Sequence, residues 1–164
     1  WEKWQEENSI VKAHLKKEST LQIPSFQDSL NYFNSLVGNE KVFNSAFRTL
    51  NFDPQNGYAN YIIANYFFDE ARSDFELYRK ESEPITQNPK KMTEKQIKRW
   101  SRIISTSKEK LQKAKEYLEF IEPGNKFYRN SRAAKKNVNA AMVNIRNAQS
   151  QLGAFRDYLR KKRS

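Results

Sequence analysis

Residues Tyr58 to Tyr78 read YANYIIANYFFDEARSDFELY, and this stretch decides the fold. Tyr61, Phe68 and Phe75 recur every seven residues. Ala64, Ala71 and Tyr78 do the same three residues later, so the two rows make one continuous apolar stripe along a helix. Ile62, Ile63, Tyr66 and Phe67 lie off that stripe. A helix that is apolar most of the way round has to be enclosed by others, so the stretch predicts the central strut of a helical bundle, over about residues 56–81.

Working outward, the rest of the chain supplies the enclosing helices. Toward the N-terminus, Trp1, Trp4, Val11 and Leu15 fall on one face of a first helix running to about Glu18, and Ser25 begins a second with Phe26, Leu30, Phe33 and Val37 inward. Gly38 and Asn39 interrupt it, and the stripe resumes out of phase with Phe43, Phe47 and Leu50. Asp53 and Pro54 then suit a stop and restart, aspartate as a cap and proline in the first turn, where its missing donor costs nothing.

On the C-terminal side, Pro84 and Pro89 keep residues 83–91 from being helical throughout. Thr93 and Gln96 have the spacing of a capping box, and Met92 and Ile97 that of a hydrophobic staple, so four residues agree on one helix start. From there a heptad runs through Ile97, Ile104, Leu111 and Leu118, with Trp100, Ser107, Ala114 and Ile121 beside it. After Glu122, Pro123 and Gly124 a second passes through Ser131, Val138, Ile145, Leu152 and Leu159, interleaved with Ala134, Ala141, Ala148 and Phe155. The expectation is one all-α domain over 1–164, a multi-helix bundle ending in a long antiparallel hairpin with coiled-coil-like heptads. Folding that hairpin about Gly124 pairs Trp100 with Ala148 and Ile104 with Ile145.

Composition agrees. Only four glycines and five prolines occur in 164 residues, mostly where the helical patterns stop. A mean hydropathy of −0.96 beside 13% aromatic residues describes solvated helices whose seams rely on a few large rings. The absence of cysteine excludes disulfides, thiolate metal sites and cysteine nucleophiles. No run is apolar enough to cross a bilayer. The first residue is Trp1, not methionine, which raises the expectation of a leader or anchor removed before it; Trp1 and Trp4 would then lie at a membrane interface, whereas the plainer reading has them cap the core.

Charge is the second signal. Residues 1–91 hold 11 Lys and Arg against 13 Asp and Glu, a net of −2, whereas residues 92–164 hold 19 against 6, a net of +13. All the excess therefore lies in the hairpin. The antiparallel geometry sets Lys95, Lys98, Arg99 and Arg102 at the start of its first helix beside Arg146, Arg156, Arg160, Lys161, Lys162 and Arg163 toward the end of its second. Cations in a last turn gain only about 0.3–1 kcal/mol each from the helix dipole, so folding alone does not call for such a cluster.

Three readings compete for it: a solvated face that keeps the protein soluble, a surface for nucleic-acid phosphates with weak sequence specificity, or a contact with an acidic protein or anionic lipid surface. The asparagine-rich second helix, with Asn130, Asn137, Asn139, Asn144 and Asn147, favours nucleic acid. The expected function is thus a non-catalytic binding or scaffolding protein whose basic hairpin engages a polyanion, foremost nucleic-acid backbone. The alternative is an interaction or adaptor subunit of a protein assembly, membrane-tethered or exported through a segment removed before residue 1.

Nothing in the chain suggests catalysis. His14 is the one histidine, and no carboxylate stands three residues before it. Asp69, Glu70 and Asp74 with Arg72 among them read as a solvated face. The isolated glycines make no phosphate loop. No catalytic residue, metal, cofactor or small-molecule substrate is expected.

Overall fold

A computed structural model describes residues 40–163, which form four α-helices: α1 (Glu40–Phe52), α2 (Gly57–Gln87), α3 (Glu94–Glu119) and α4 (Tyr128–Arg163), with a short 3-10 turn at Pro89–Lys91. The fold is an all-α multi-helix bundle, and no strand occurs among the described residues. The helices expected over 1–18 and 25–37, the break at Gly38–Asn39, and His14 lie outside the described residues.

Local chemistry sets the helix ends. The capping box forms as its spacing predicts: Gln96 N–H donates to Thr93 Oγ1 at 3.2 Å and Thr93 N–H to Gln96 Oε1 at 2.9 Å, above a buried Met92 and Ile97. Two other expected ends move. Asn56, not Asp53, caps α2, its Oδ1 accepting the Ala59 N–H at 3.0 Å. Asp53 instead closes the preceding turn, its carbonyl accepting the Asn56 N–H at 3.1 Å. The central helix also outlasts the expected end at Glu81 and carries Pro84 within it. Proline forfeits one donor, but Ser82 and Ile85 are buried on the helix's inner face and Thr86 Oγ1 bonds back to the Ser82 carbonyl at 3.0 Å, so packing holds the last turn.

The described chain packs as two compact units. Among the described residues, one comprises 40–67 with Lys113–Val138; the other comprises Phe68–Gln112 with 139–163.

In the first unit every residue from Gly57 to Asn65 is buried, as an all-round apolar helix requires. α1 lays Phe43 on Tyr66 at 4.1 Å between ring centroids and Phe47 on Tyr117 at 6.1 Å. Phe127, just before α4, packs against Tyr58 and Tyr61 at 5.3 and 5.9 Å. Two of the residues joining α3 to α4, Ile121 and Phe127, are thus part of the core. Asn125 holds this connection, its Oδ1 accepting the Phe127 N–H at 2.9 Å, and its side chain fills the space a Cβ on Gly57 would need.

That contact fixes the sign of a substitution. Glycine to alanine within a helix ordinarily gains up to about 1 kcal/mol. Here Gly57→Ala should instead lose about 1–3 kcal/mol by pushing Asn125 off Phe127. Urea denaturation of Gly57→Ala, Asn125→Ala and the double variant checks it, the double costing less than the two singles together. A stabilised single variant would overturn it.

In the second unit α2, α3 and α4 pack together. Ser107 Oγ donates to the Ala71 carbonyl at 2.8 Å, tying α3 to α2 through a seam position that is small and polar. Trp100 is 1% exposed and sits between Tyr78 and Phe155, at 6.2 and 6.0 Å between ring centroids. It therefore meets α4 one heptad beyond the Ala148 expected from a symmetric fold about Gly124. The connection Phe120–Phe127 is a packed segment and not a tight turn, so the symmetric fold was the wrong premise. Of the expected rows, Ile97, Trp100, Ile104, Ser107 and Leu111 of α3 and Ile145, Ala148, Leu152 and Phe155 of α4 are buried, whereas Ala141 and Leu159 are half-buried.

Candidate nucleic-acid interface

The basic surface is built where the start of α3 meets the end of α4 in the second unit. Arg163 Nη1 lies 2.6 Å from Glu94 Oε1, and Arg156 Nη2 donates to Ser101 Oγ at 2.7 Å, which sets the two helix segments side by side and antiparallel. Arg156, Arg160 and Arg163 stand on one stripe of α4, while Lys95, Lys98 and Arg102 stand on the exposed side of α3. A groove of about 310 Å³ runs between them, with Ile97 and Leu159 in its walls and Lys98, Arg156, Arg160 and Arg163 around them.

Residues 94–102 and 156–163 together hold nine Lys and Arg against Glu94 and Asp157, so the ion pairs formed here leave most of the positive charge uncompensated. Arg99 makes a two-pronged contact with Glu81, at 2.9 and 2.8 Å, and the Trp100 indole N–H reaches the same carboxylate at 3.1 Å. The Arg99 hydrogen bond holds the Glu81 carboxyl below the usual glutamate value, partial burial opposing it and the indole bond assisting. Glu94 is likewise held down by its hydrogen bond to Arg163, then by the nearby charges of Arg163 and Lys98.

The ten residues expected at the site all fall in the second unit and all are exposed. Lys98, Arg156 and Arg160 line one groove, and Lys95 and Arg102 are exposed on α3 a turn to either side of Lys98. Arg99 and Arg163 belong to the same surface but are engaged by carboxylates. Lys162 Nζ donates to the Lys90 carbonyl at 3.1 Å, bringing the Pro89–Lys91 turn and its two lysines up to the end of α4. Lys161 is beside it in sequence. Arg146 stands apart, about 15 Å back from Arg156 at 1.5 Å per residue.

No family model, curated protein or solved structure matches this chain.

The carboxylates of α2 have an occupation of their own. Lys110 Nζ lies 3.2 Å from Glu70 and 2.8 Å from Asp74. Burial works to lower the Lys110 pKa, and the hydrogen bonds it donates to Asp74 and Glu70, with the charges of those carboxylates, outweigh it, so the net shift is upward. This arrangement cross-links α2 to α3. Among the described residues no group of three or more His, Cys, Asp or Glu is placed to hold a metal ion.

Sequence reasoning missed Glu81 and Glu94 as partners of the basic residues. Glu94 carried a signal, since it is the one acid in residues 94–102 and sits in the first turn of α3. Glu81 carried none, because it meets Arg99 across the α2–α3 connection and no helical spacing links them.

Proposed function

We propose that this protein binds nucleic-acid backbone through the α3-start and α4-end surface, as a non-catalytic binding or scaffolding component. The observation that carries the reading is that Lys98, Arg156 and Arg160 from two antiparallel helix ends line one groove, with Lys95 and Arg102 exposed on α3 a turn to either side of Lys98. Like charges held this close repel, and a phosphate chain relieves that repulsion while releasing its own counterions. Among the described residues no element for reading base edges in a duplex groove is evident, so duplex binding through them should depend little on sequence.

The test is a salt titration against short labelled DNA and RNA, single- and double-stranded, with anionic vesicles and an acidic protein as comparisons. Log affinity falling linearly with log salt, at a slope worth several phosphates, supports the reading. No binding at low salt sinks it, and tighter binding to vesicles or to the acidic protein reassigns the surface.

Glu94 has a role within this reading. Its carboxylate occupies Arg163, so an incoming phosphate has to compete with it. Replacing Glu94 by glutamine removes the competing charge, and nucleic-acid affinity should rise about three- to tenfold at low salt, the gain shrinking as salt screens it. An unchanged or weaker affinity would show that Glu94 does not compete.

A further inference from the structure

A second groove, about 630 Å³, lies between α2 and α4 in the same unit. That volume is within the range of about 300–1,000 Å³ usual for small-ligand sites. Phe75, Thr86, Gln87, Asn144, Asn147 and Gln151 line it, none of them charged. The two charged residues in its lining, Arg79 and Glu83, are of opposite sign.

Three observations say what it suits. The first is the supply of hydrogen-bonding groups. Each amide offers two donors and an acceptor. Gln151 is held in place, accepting from the Tyr78 hydroxyl and donating to Thr86 Oγ1 at 3.4 Å, whereas Asn144 and Asn147 are exposed. Asparagine is among the poorer residues for a helix interior, so two of them three apart in the middle of α4 are not explained by helix stability. The second is an aromatic surface: Phe75 is half-buried, with its ring 6.0 Å from that of Tyr78. The third is position. Gln87, in the groove's lining, stands two residues before the Pro89–Lys91 turn, and Lys162 donates to the Lys90 carbonyl, so the turn that follows the groove along the chain gathers Lys90, Lys91 and Lys162.

A free anion would use the amide donors and leave the amide acceptors and the aromatic face idle, and a duplex keeps its bases stacked and paired inside. Amides that match base edges, an aromatic face for stacking, and cations on the adjoining turn together match one strand with its bases turned out. We propose that the α2–α4 groove takes an unpaired nucleobase of a single strand whose phosphates lie over Lys90, Lys91 and Lys162. The proposal rests on the nucleic-acid reading above and adds the distinction between single strand and duplex.

The experiment compares a labelled single-stranded oligonucleotide, an abasic strand with the same number of phosphates, and a duplex of equal length, all at one salt concentration. The proteins are the full chain and its Asn144→Ala/Asn147→Ala variant, with circular dichroism confirming equal helical content. The base-bearing strand should bind at least about tenfold tighter than the abasic one. The double variant should lose most of that difference, with duplex affinity unchanged. Equal binding of abasic and base-bearing strands would overturn the groove proposal and leave the backbone reading standing. A preference for bases that survives in the double variant would also overturn it. Binding of none of the three at low salt would overturn both.

Discussion

Reversing the charge of Lys98, Arg102, Arg156 and Arg160 together should lower nucleic-acid affinity more than about a hundredfold at 0.1 M salt and reduce the salt slope by about 3 to 4. These four are exposed, come from both helices of the surface, and are not held by either of its ion pairs, Glu81–Arg99 and Glu94–Arg163. Arg99 is left out deliberately. A carboxylate at position 99 would face Glu81 and the Trp100 indole, and the loss would mix folding with binding. The matched control reverses Arg72, Lys80, Lys115 and Lys136, which are exposed elsewhere and change the net charge by the same amount. If both quadruple variants lose affinity equally, the attraction is to overall charge and this surface is not a site. Fluorescence anisotropy against salt, beside circular dichroism at each step, measures both quantities.

The largest stability effect should come from Trp100→Ala. The side chain is almost completely buried between Tyr78 and Phe155, and its truncation should cost about 3–5 kcal/mol, a large part of the stability of a chain this size. Part of the loss is electrostatic, because the indole N–H also steadies Glu81. Trp100→Phe keeps most of the ring volume and loses only that donor, so it should cost distinctly less, about 1–2 kcal/mol. Urea denaturation followed by circular dichroism separates the two. An alanine variant within about 1 kcal/mol of the parent would mean that Trp100 does not anchor the second unit.

The helices were legible because their signals are local. Thr93, Gln96, Met92 and Ile97 are contiguous enough to specify a helix start without knowing what surrounds it, and the capping box forms. The buried rows of α3 and α4 follow from heptad spacing, which depends only on the pitch of a helix. Pro84 shows the limit of such reasoning: its local cost is real, but burial of Ser82 and Ile85 outweighs it and α2 continues to Gln87. Asn56 shows the same for caps: Asp53 is the expected cap, but its carbonyl closes the preceding turn and the cap falls three residues later.

By itself the sequence determined an all-α bundle, the inward faces of its helices, and the confinement of excess positive charge to residues 92–164, because periodicity and composition are properties of the chain. Only the tertiary structure decided which residues meet: that Trp100 lies against Phe155, that Glu81 and Glu94 hold Arg99 and Arg163, and that Asn144 and Asn147 line a groove. These depend on the path of the Phe120–Phe127 connection and on the offset between neighbouring helices. Heptad spacing leaves that offset free, because sliding one helix by seven residues preserves the apolar seam and changes every partner across it.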